Sequence, residues 1–471
     1  MNIQALHGEF LRSAGISTDS RQEVKDRIFF ALRGDRFDGN TYVEEAVRGG
    51  CRLAVTDRED LAGKPGIIRV ASPLETLQEL AGYHRHQIRV SVIGITGSNG
   101  KTTTKELAAV ILSRRYRTLA TSGNQNNHIG VPLTLLSLRE EEVAVVEMGA
   151  NHRGEIASLS AIAAPDLGLI TNIGKAHLEG FGSVEGVLNA KGELYEYLAA
   201  HGGRALIDGS DPVLMDKAER TGVHRIVMGV SHAPGFLAGR GRLQADHDPA
   251  GLSPDRQKAG DISQGIGRGL QEMVPVNCRI TDQTPSLEVE LSVEGSLHRT
   301  GTMLVGAYNL KNIQYAFALG YLFGIPADEI TEAIGSYIPV NQRSQFIQGN
   351  RNRVILDAYN ANPTSMREAV GGILAYASSP IMLILGDMAE MGEVAGLEHR
   401  ELVEWMKTLP VEQILLVGEN FSRFAEPSSG LLVFRKKDEL VDYLESEKPS
   451  GFHVLVKGSR IMALETLQEY L

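Results

Sequence analysis

Eight consecutive residues, Thr96-Gly97-Ser98-Asn99-Gly100-Lys101-Thr102-Thr103, combine glycines, hydroxyls and one lysine at a spacing suited to holding phosphate oxygens. Glycines let backbone N–H groups converge on an anion without Cβ clashes. A helix starting near Lys101 aims the positive end of its dipole at the same point. Lys101 can reach the outer phosphates, and the Thr102 hydroxyl can ligate Mg²⁺. The strict pattern G-x-x-x-x-G-K-[ST] would place a glycine at Ile95, whereas the nearest one, Gly94, comes one residue early. The strand–loop–helix context that gives the pattern meaning is nevertheless present. A triphosphate, ATP, is the expected ligand; the bland alternative is a Gly-rich turn carrying an exposed lysine.

Other residues gain weight beside such a loop. Glu147 stands at the end of the apolar run Val143–Met148, next to its last residue, and a carboxylate at the C-terminal edge of a parallel strand faces the ligand crevice. There it can hold a magnesium ion, directly or through water; alone, it reads as a solvated strand end. His177 follows Leu167–Asn172 and can ligate a metal, position a substrate or serve structure only. Lys191 lies in a helical pattern, where lysines are ordinarily solvated, but desolvation near metals would make it reactive. Asp357 ends the run Arg353–Asp357, where a carboxylate commonly accepts from ribose hydroxyls. Asn360 and Asn362 follow with amides that donate and accept, and Pro363 suits the first turn of a helix.

These groups require a scaffold of alternating strands and helices. Strand candidates are Arg27–Leu32, Arg52–Thr56, Val90–Thr96, Val143–Met148, Leu167–Asn172, Arg353–Asp357, Ile381–Leu385, Ile414–Val417 and Val454–Val456. Helical patterns cover Leu74–Gln87 and Thr102–Arg114, and then 363–376, 396–408 and 437–445. The alternation predicts an α/β chain with parallel sheets covered on both faces. Three domains are expected: 1–88, small and α/β; 89–325, around the phosphate loop; and 326–471, doubly wound and Rossmann-like. His232–Pro275, rich in Gly, Pro, Asp, Ser and Gln, reads as a long surface excursion. Leu287–Val293 alternates like an edge strand.

The 471 residues carry 47 basic and 58 acidic groups, a formal charge of −11, which disfavours non-specific nucleic-acid binding. Two distant cysteines, Cys51 and Cys278, fit neither a disulfide framework nor a metal site, and a reducing compartment is expected. Met1–Gly15 lacks a signal-peptide apolar region, and no stretch nears the ~18 apolar residues of a spanning helix. A cytoplasmic monomer with small-molecule partners is therefore the expectation.

Taken together, the motifs resemble the Mur ligases. The matching stretches include STDSR (17–21), ALRGDRFDG (31–39), GITGSNGKTTTKE (94–106), GNQNNHIGVPLTLL (123–136), VVEMGANHRGEI (145–156) and ITNIGKAHLEGFGS (170–183). Further along come AKGELYE (190–196), GAYNLKNIQYAFA (306–318), DAYNANPTSM (357–366), LGDMAEMGE (385–393) and KGSRIMALE (457–465). They run in family order over nearly the whole chain. GNxNN, YNANP and LGDMAEMGE point to the branch that joins D-alanyl-D-alanine to a UDP-N-acetylmuramoyl-tripeptide.

The resemblance implies that ATP phosphorylates the peptide carboxylate and that the dipeptide amine attacks the acyl phosphate. It implies one Mg²⁺ on Thr102 and Glu147, a second on His177, and a carbamylated Lys191 serving as a carboxylate-like metal ligand. It casts Lys101, Lys191 and His177 as catalytic. It also places Asn309 beside adenine, Arg343 on ATP, and Asp357 on the ribose. Ser20 and Arg21 would bind the uridine nucleotide, and Asn126 and Asn127 would face substrate. Tyr359, Asn360 and Asn362 would lie where the dipeptide approaches. The chain departs from the family at His128, where glutamate is common, at Asn40 in FDGN, and at Tyr308 in GAYN. The third residue of the peptide, diaminopimelate or lysine, stays open. The rivals are a related folylpolyglutamate-type ligase with another amine, and a scaffold that retains only the ATP site. Because Lys101 and Asp357 must meet one ATP, the outer domains are expected to close.

Overall fold

The computed structural model describes residues 2–34, 37–229, 271–339, 342–377, 380–428 and 430–471. Three units are each built on a parallel sheet, as the α/β expectation requires. The first sheet places Ile16–Ser17, Ile28–Phe30, Leu53–Thr56 and Ile67–Arg69 side by side, all parallel. The helix Pro73–Gln87 leads out of it. Its start is set by the Ser72 hydroxyl, which accepts from the Glu75 amide at 3.2 Å, and by Pro73 in the first turn. Its end is pinned to the next unit: Arg85 donates to the Ala163 and Ala164 carbonyls, each at 3.0 Å, and to Asp166 at 2.9 Å.

The second sheet runs in the order Gln271–Val274, His224–Met228, Arg204–Asp208, Leu167–Ile170, Ser91–Thr96, Val143–Glu147, Thr118–Ala120, again all parallel. Its strands read as near-continuous apolar runs because both faces are covered. One face shares a core with the first unit, in which Leu6, Phe10 and Ile28 join Val131 and Val146. The other packs Ile93, Ile95 and Leu107 against Ile313, Phe317 and the antiparallel strands Val276–Gln283, Ser286–Val293 and Ser296–Val305. Two expectations are corrected here. Leu287–Val293 lies in the middle strand of a three-stranded sheet rather than at an edge; a sheet covered on one face alternates at its centre as well. The expected excursion ends early, since Gln271–Val274 pairs with His224–Met228 as a sheet edge. Residues 232–270 of that excursion lie outside the described residues.

The third sheet is ordered Gln345–Gln348, Arg353–Asp357, His453–Lys457, Ile381–Gly386, Gln413–Val417, Leu431–Phe434, with only the first strand antiparallel. Apolar clusters fill both its faces. Its strands Arg353–Asp357 and His453–Lys457 end side by side, in register Asp357 with Lys457. Among the described residues no helix is long and apolar enough to cross a membrane.

Candidate active site

The strand Ser91–Thr96 is fully buried and empties into the Gly-rich loop, after which the helix Lys101–Leu112 begins. Gly97 and Gly100 sit at φ +140° and +81°. A Cβ on Gly97 would lie 2.0 Å from Thr171 Oγ1, and one on Gly100 2.2 Å from Asn312 Oδ1, so both positions require glycine. The helix start has no side-chain cap, which leaves its first amides available to an anion. Lys101 Nζ donates to the carbonyls of Gly97 at 2.7 Å and Ser98 at 3.1 Å. Burial lowers its pKa to about 8, against the opposing pull of Glu147.

The loop is braced from the neighbouring strand. Ser98 and Asn99 amides donate to the Asn172 carbonyl and side chain, each at 3.0 Å, and Thr171 Oγ1 donates to the Asn99 carbonyl at 2.5 Å. The same segment continues to Lys175 and His177.

Glu147 lies under the loop, almost fully buried. Its Oε1 accepts from Thr102 Oγ1 at 3.2 Å and from Asn126 Nδ2 at 2.8 Å. Its Oε2 is buried without a hydrogen-bond partner, and the nearest cation is Lys105 Nζ at 3.7 Å. A buried carboxylate oxygen left unsatisfied beside a threonine hydroxyl is a donor set that fits a hard divalent cation. Lys191 is 1% exposed. Its Nζ donates to the Ala150 carbonyl at 3.2 Å and lies 5.2 Å from the centre of the Phe181 ring. Burial first, and Lys101 second, lower its pKa to about 7.

The third unit supplies the opposite wall. Asp357 Oδ1 accepts from the Ser344 amide at 3.1 Å, and its Oδ2 from Lys457 Nζ at 2.6 Å. Lys457 also donates to the Asn360 carbonyl at 3.0 Å, tying the strand ends to the loop that follows. The Arg343 guanidinium stacks 3.7 Å from the centre of the Tyr359 ring. Asn362 caps the helix Pro363–Tyr376 through the Ser365 amide, and its Nδ2 donates to Asn99 Oδ1 at 2.8 Å, joining this unit to the phosphate loop. Tyr308, one of the family departures, hydrogen-bonds Ser344 beside Arg343. Asn309 Nδ2 donates to the Val305 carbonyl at 2.8 Å and its Oδ1 accepts from Asn312 at 2.8 Å.

These side chains line one cleft of about 470 Å³. Of the residues singled out in the sequence, Ser98 to Thr103, Asn126, Asn127, Glu147, His177, Asn309, Arg343, Asp357, Tyr359, Asn360 and Asn362 line it. Thr96 and Gly97, which open the loop, are not among the lining residues, and neither is Lys191, which is buried against the carbonyl of the lining residue Ala150. Ser20 and Arg21 belong to the first unit and do not reach the cleft; Arg21 pairs with Asp19 at 2.8 Å and is exposed. Asn40 is buried, donating to Asp57 at 2.8 Å and accepting from Thr56 at 2.5 Å, so this departure has a structural place. The reading from sequence passed over Lys457, Glu368 and Glu390, which also line the cleft. Lys457 had a signal of the same kind as Glu147 and Asp357, since it ends an apolar strand. Glu390 had none beyond its motif, because its partner is distant in sequence.

Residues 95–253 match the Mur ligase middle domain, and residues 342–460 the Mur ligase glutamate ligase domain. The chain is 31% identical to UDP-N-acetylmuramoyl-tripeptide–D-alanyl-D-alanine ligase of Bacillus subtilis, over 96% of this chain and 92% of that protein. It is 32% identical to the enzyme of the same name from Escherichia coli, over 98% and 94%. The crystal structure of MurF from Acinetobacter baumannii superposes with a TM-score of 0.79 at 31% identity, covering 96% of this chain and 92% of that one.

Proposed function

The chain belongs to the Mur ligase family, and on that premise we propose that it joins D-alanyl-D-alanine to the terminal carboxylate of a UDP-N-acetylmuramoyl-tripeptide at the expense of ATP. The observation that carries this reading is the shared cleft. The phosphate loop and Glu147 on one sheet face Arg343, Asp357 and Asn360 on another.

The chemistry explains why both walls are needed. An ionised carboxylate is a poor acyl donor. Its oxygen attacks the γ-phosphorus, the bond to the β-phosphate oxygen breaks, and ADP departs. The dipeptide amine then adds to the acyl phosphate carbonyl, loses a proton, and the tetrahedral adduct expels phosphate to leave the amide. The loop amides and Lys101 hold the β- and γ-phosphates and neutralise charge as it builds. Asp357 accepts from the ribose, Arg343 reaches the phosphates, and Asn309 lies on the adenine side. Tyr359, Asn360 and Asn362 border the approach of the dipeptide, with Asn126 and Asn127 on the facing wall. Ser20 and Arg21 receive the uridine end in the first unit, residues 1–88, with 89–325 and 326–471 carrying the remaining roles. Thr102 and Glu147 would hold one Mg²⁺ and His177 a second, with Lys191 contributing as a carbamate. Bound magnesium supplies positive charge between the two reacting anions. Enclosure by both walls excludes water from the acyl phosphate.

Product identification by mass spectrometry tests the reading. Purified protein, ATP, Mg²⁺, defined UDP-muramoyl tripeptides and D-Ala-D-Ala should yield the pentapeptide with matching ADP and phosphate. Phosphate release with a different amine but none with D-Ala-D-Ala would refute it.

A further inference from the structure

The segment that braces the phosphate loop is gripped from the far side by the third unit. Lys175 donates its amide to Thr364 Oγ1 at 3.3 Å and its ammonium to Glu398 Oε1 at 2.6 Å. The Glu179 amide donates to the Glu390 carbonyl at 3.3 Å. Between these contacts His177 stands in the left-handed region at φ +52°, and Glu390 faces it at φ +61°. His177 Nδ1 is buried, and its close polar neighbour across the seam is Glu390 Oε2 at 2.5 Å, an ion-pair contact that is not aligned as a hydrogen bond. Two non-glycine residues in a sparsely populated backbone region are held there only when their surroundings over-determine them.

We propose that Glu390 is a positioning residue for His177, so that the histidine takes its working orientation only when the third unit is docked. This rests on the function proposed above. The physical reason is the division of labour within an imidazole. A carboxylate at Nδ1 holds the proton on that nitrogen and fixes the ring plane, leaving the Nε2 lone pair free toward the cleft. Without Glu390 the ring would lose its charged partner at Nδ1 and with it the preference for the Nδ1–H tautomer, Phe181 alone being left to hold its plane. The other grips hold the backbone and the Lys175 side chain and do not touch the ring, whose apolar side faces the edge-on ring of Phe181, 6.4 Å away between centroids. Asp387, in the same motif, explains how Glu390 is presented. Asp387 accepts from the Asn420 amide at 2.8 Å and the Phe421 amide at 3.0 Å, anchoring the turn on which Glu390 stands to the body of the third unit.

The test uses the full chain. The nitrogen shifts of His177 are recorded by ¹⁵N-histidine NMR without nucleotide or metal, the signals being assigned by their loss in His177→Gln. In the unsubstituted protein the Nδ1–H form should predominate. In Glu390→Leu the balance should move toward Nε2–H, and kcat should fall by roughly 10- to 100-fold with KM for ATP little changed. Glu390→Asp should restore part of both. Glu398→Gln, which loosens the seam without touching the ring, should leave the His177 shifts in place. Unchanged shifts and kcat in Glu390→Leu would overturn the proposal, as would Glu398→Gln reproducing both losses. If the unsubstituted chain ligates no D-Ala-D-Ala, the functional reading fails instead, while the His177 spectra still decide the role of Glu390.

Discussion

Lys101 and Asp357 illustrate two ways a charge can be kept at a buried site. Lys101 folds its ammonium back onto two carbonyls of its own loop, so it is held without a carboxylate and stays available to an anion. Replacing it with methionine keeps the stem and removes the charge. kcat/KM for ATP should drop by about 10²- to 10³-fold, the cost of losing one donor aimed at developing charge, while the melting temperature barely moves. A steady-state assay beside a thermal melt checks this. Asp357 is different, because it also neutralises Lys457, whose side chain is 3% exposed. Asp357→Asn should raise KM for ATP and also cost on the order of 3 kcal/mol of stability, since it strands a buried ammonium. Adding Lys457→Met should return most of that stability in urea unfolding and leave KM high. Recovery of both together would mean that Asp357 serves structure alone.

Whole elements carry the geometry that single residues cannot. The turn between the Ser91–Thr96 strand and its helix closes only because Gly97 and Gly100 adopt positive φ with no room for a Cβ. Gly100→Ala should cost about 1–3 kcal/mol and weaken nucleotide binding, read by calorimetry on the folded fraction; full affinity would show that the loop tolerates displacement of Asn312. A second element-scale effect lies where the helices Ile3–Leu11 and Pro73–Gln87 meet the central unit. His84 Nδ1 is 3.0 Å from His7 Nε2, and its Nε2 is 3.1 Å from the Leu138 carbonyl. Burial pushes the His84 pKa down from 6.5 to about 4. Folding thus favours the neutral ring, and the stabilisation is complete above pH 6.5. It is lost as pH falls toward 4, because the unfolded chain takes up the proton first. The loss is at most about 3 kcal/mol, and His84→Gln should flatten the acid limb of urea stability measured from pH 8 to pH 4.5.

Elements of this kind were legible where pattern and chemistry coincide. Glu147 and Asp357 each close an apolar run, so periodicity alone places them at sheet edges. Gln271–Val274 was not legible, because four residues following a Gly- and Pro-rich stretch are too few to show a period. Glu390 was hidden for another reason: its partner His177 is reached through the docking of two sheets, which no local pattern encodes.

At the scale of the molecule, the seam between the second and third units is largely polar where it crosses the cleft, with Leu178 packing on the third unit's core beside it. Its side-chain links include Asn362 to Asn99, Lys175 to Glu398 and His177 to Glu390, beside the Lys175 and Glu179 amides on Thr364 and Glu390. Lys175 and Glu390 are both more than 40% exposed on their side chains, while their partners Glu398 and His177 are 7% and 21% exposed. Ion pairs open to solvent on one side are modest in strength and weaken with salt. A junction of that strength can open and shut on thermal energy. Ligands that touch both walls add binding energy only to the closed form, and so shift the population toward it. An ATP analogue together with the UDP-peptide should therefore shrink the radius of gyration in solution scattering, and either ligand alone should do so less. Raising the salt from 0.05 to about 0.5 M should expand the unliganded protein more than the doubly liganded one. Asn362→Ala, which cuts the direct link to the phosphate loop, should expand the free protein and lower the apparent affinity for ATP. Scattering curves that coincide with and without both ligands would mean that the two walls are fixed, and that the cleft admits its substrates without opening.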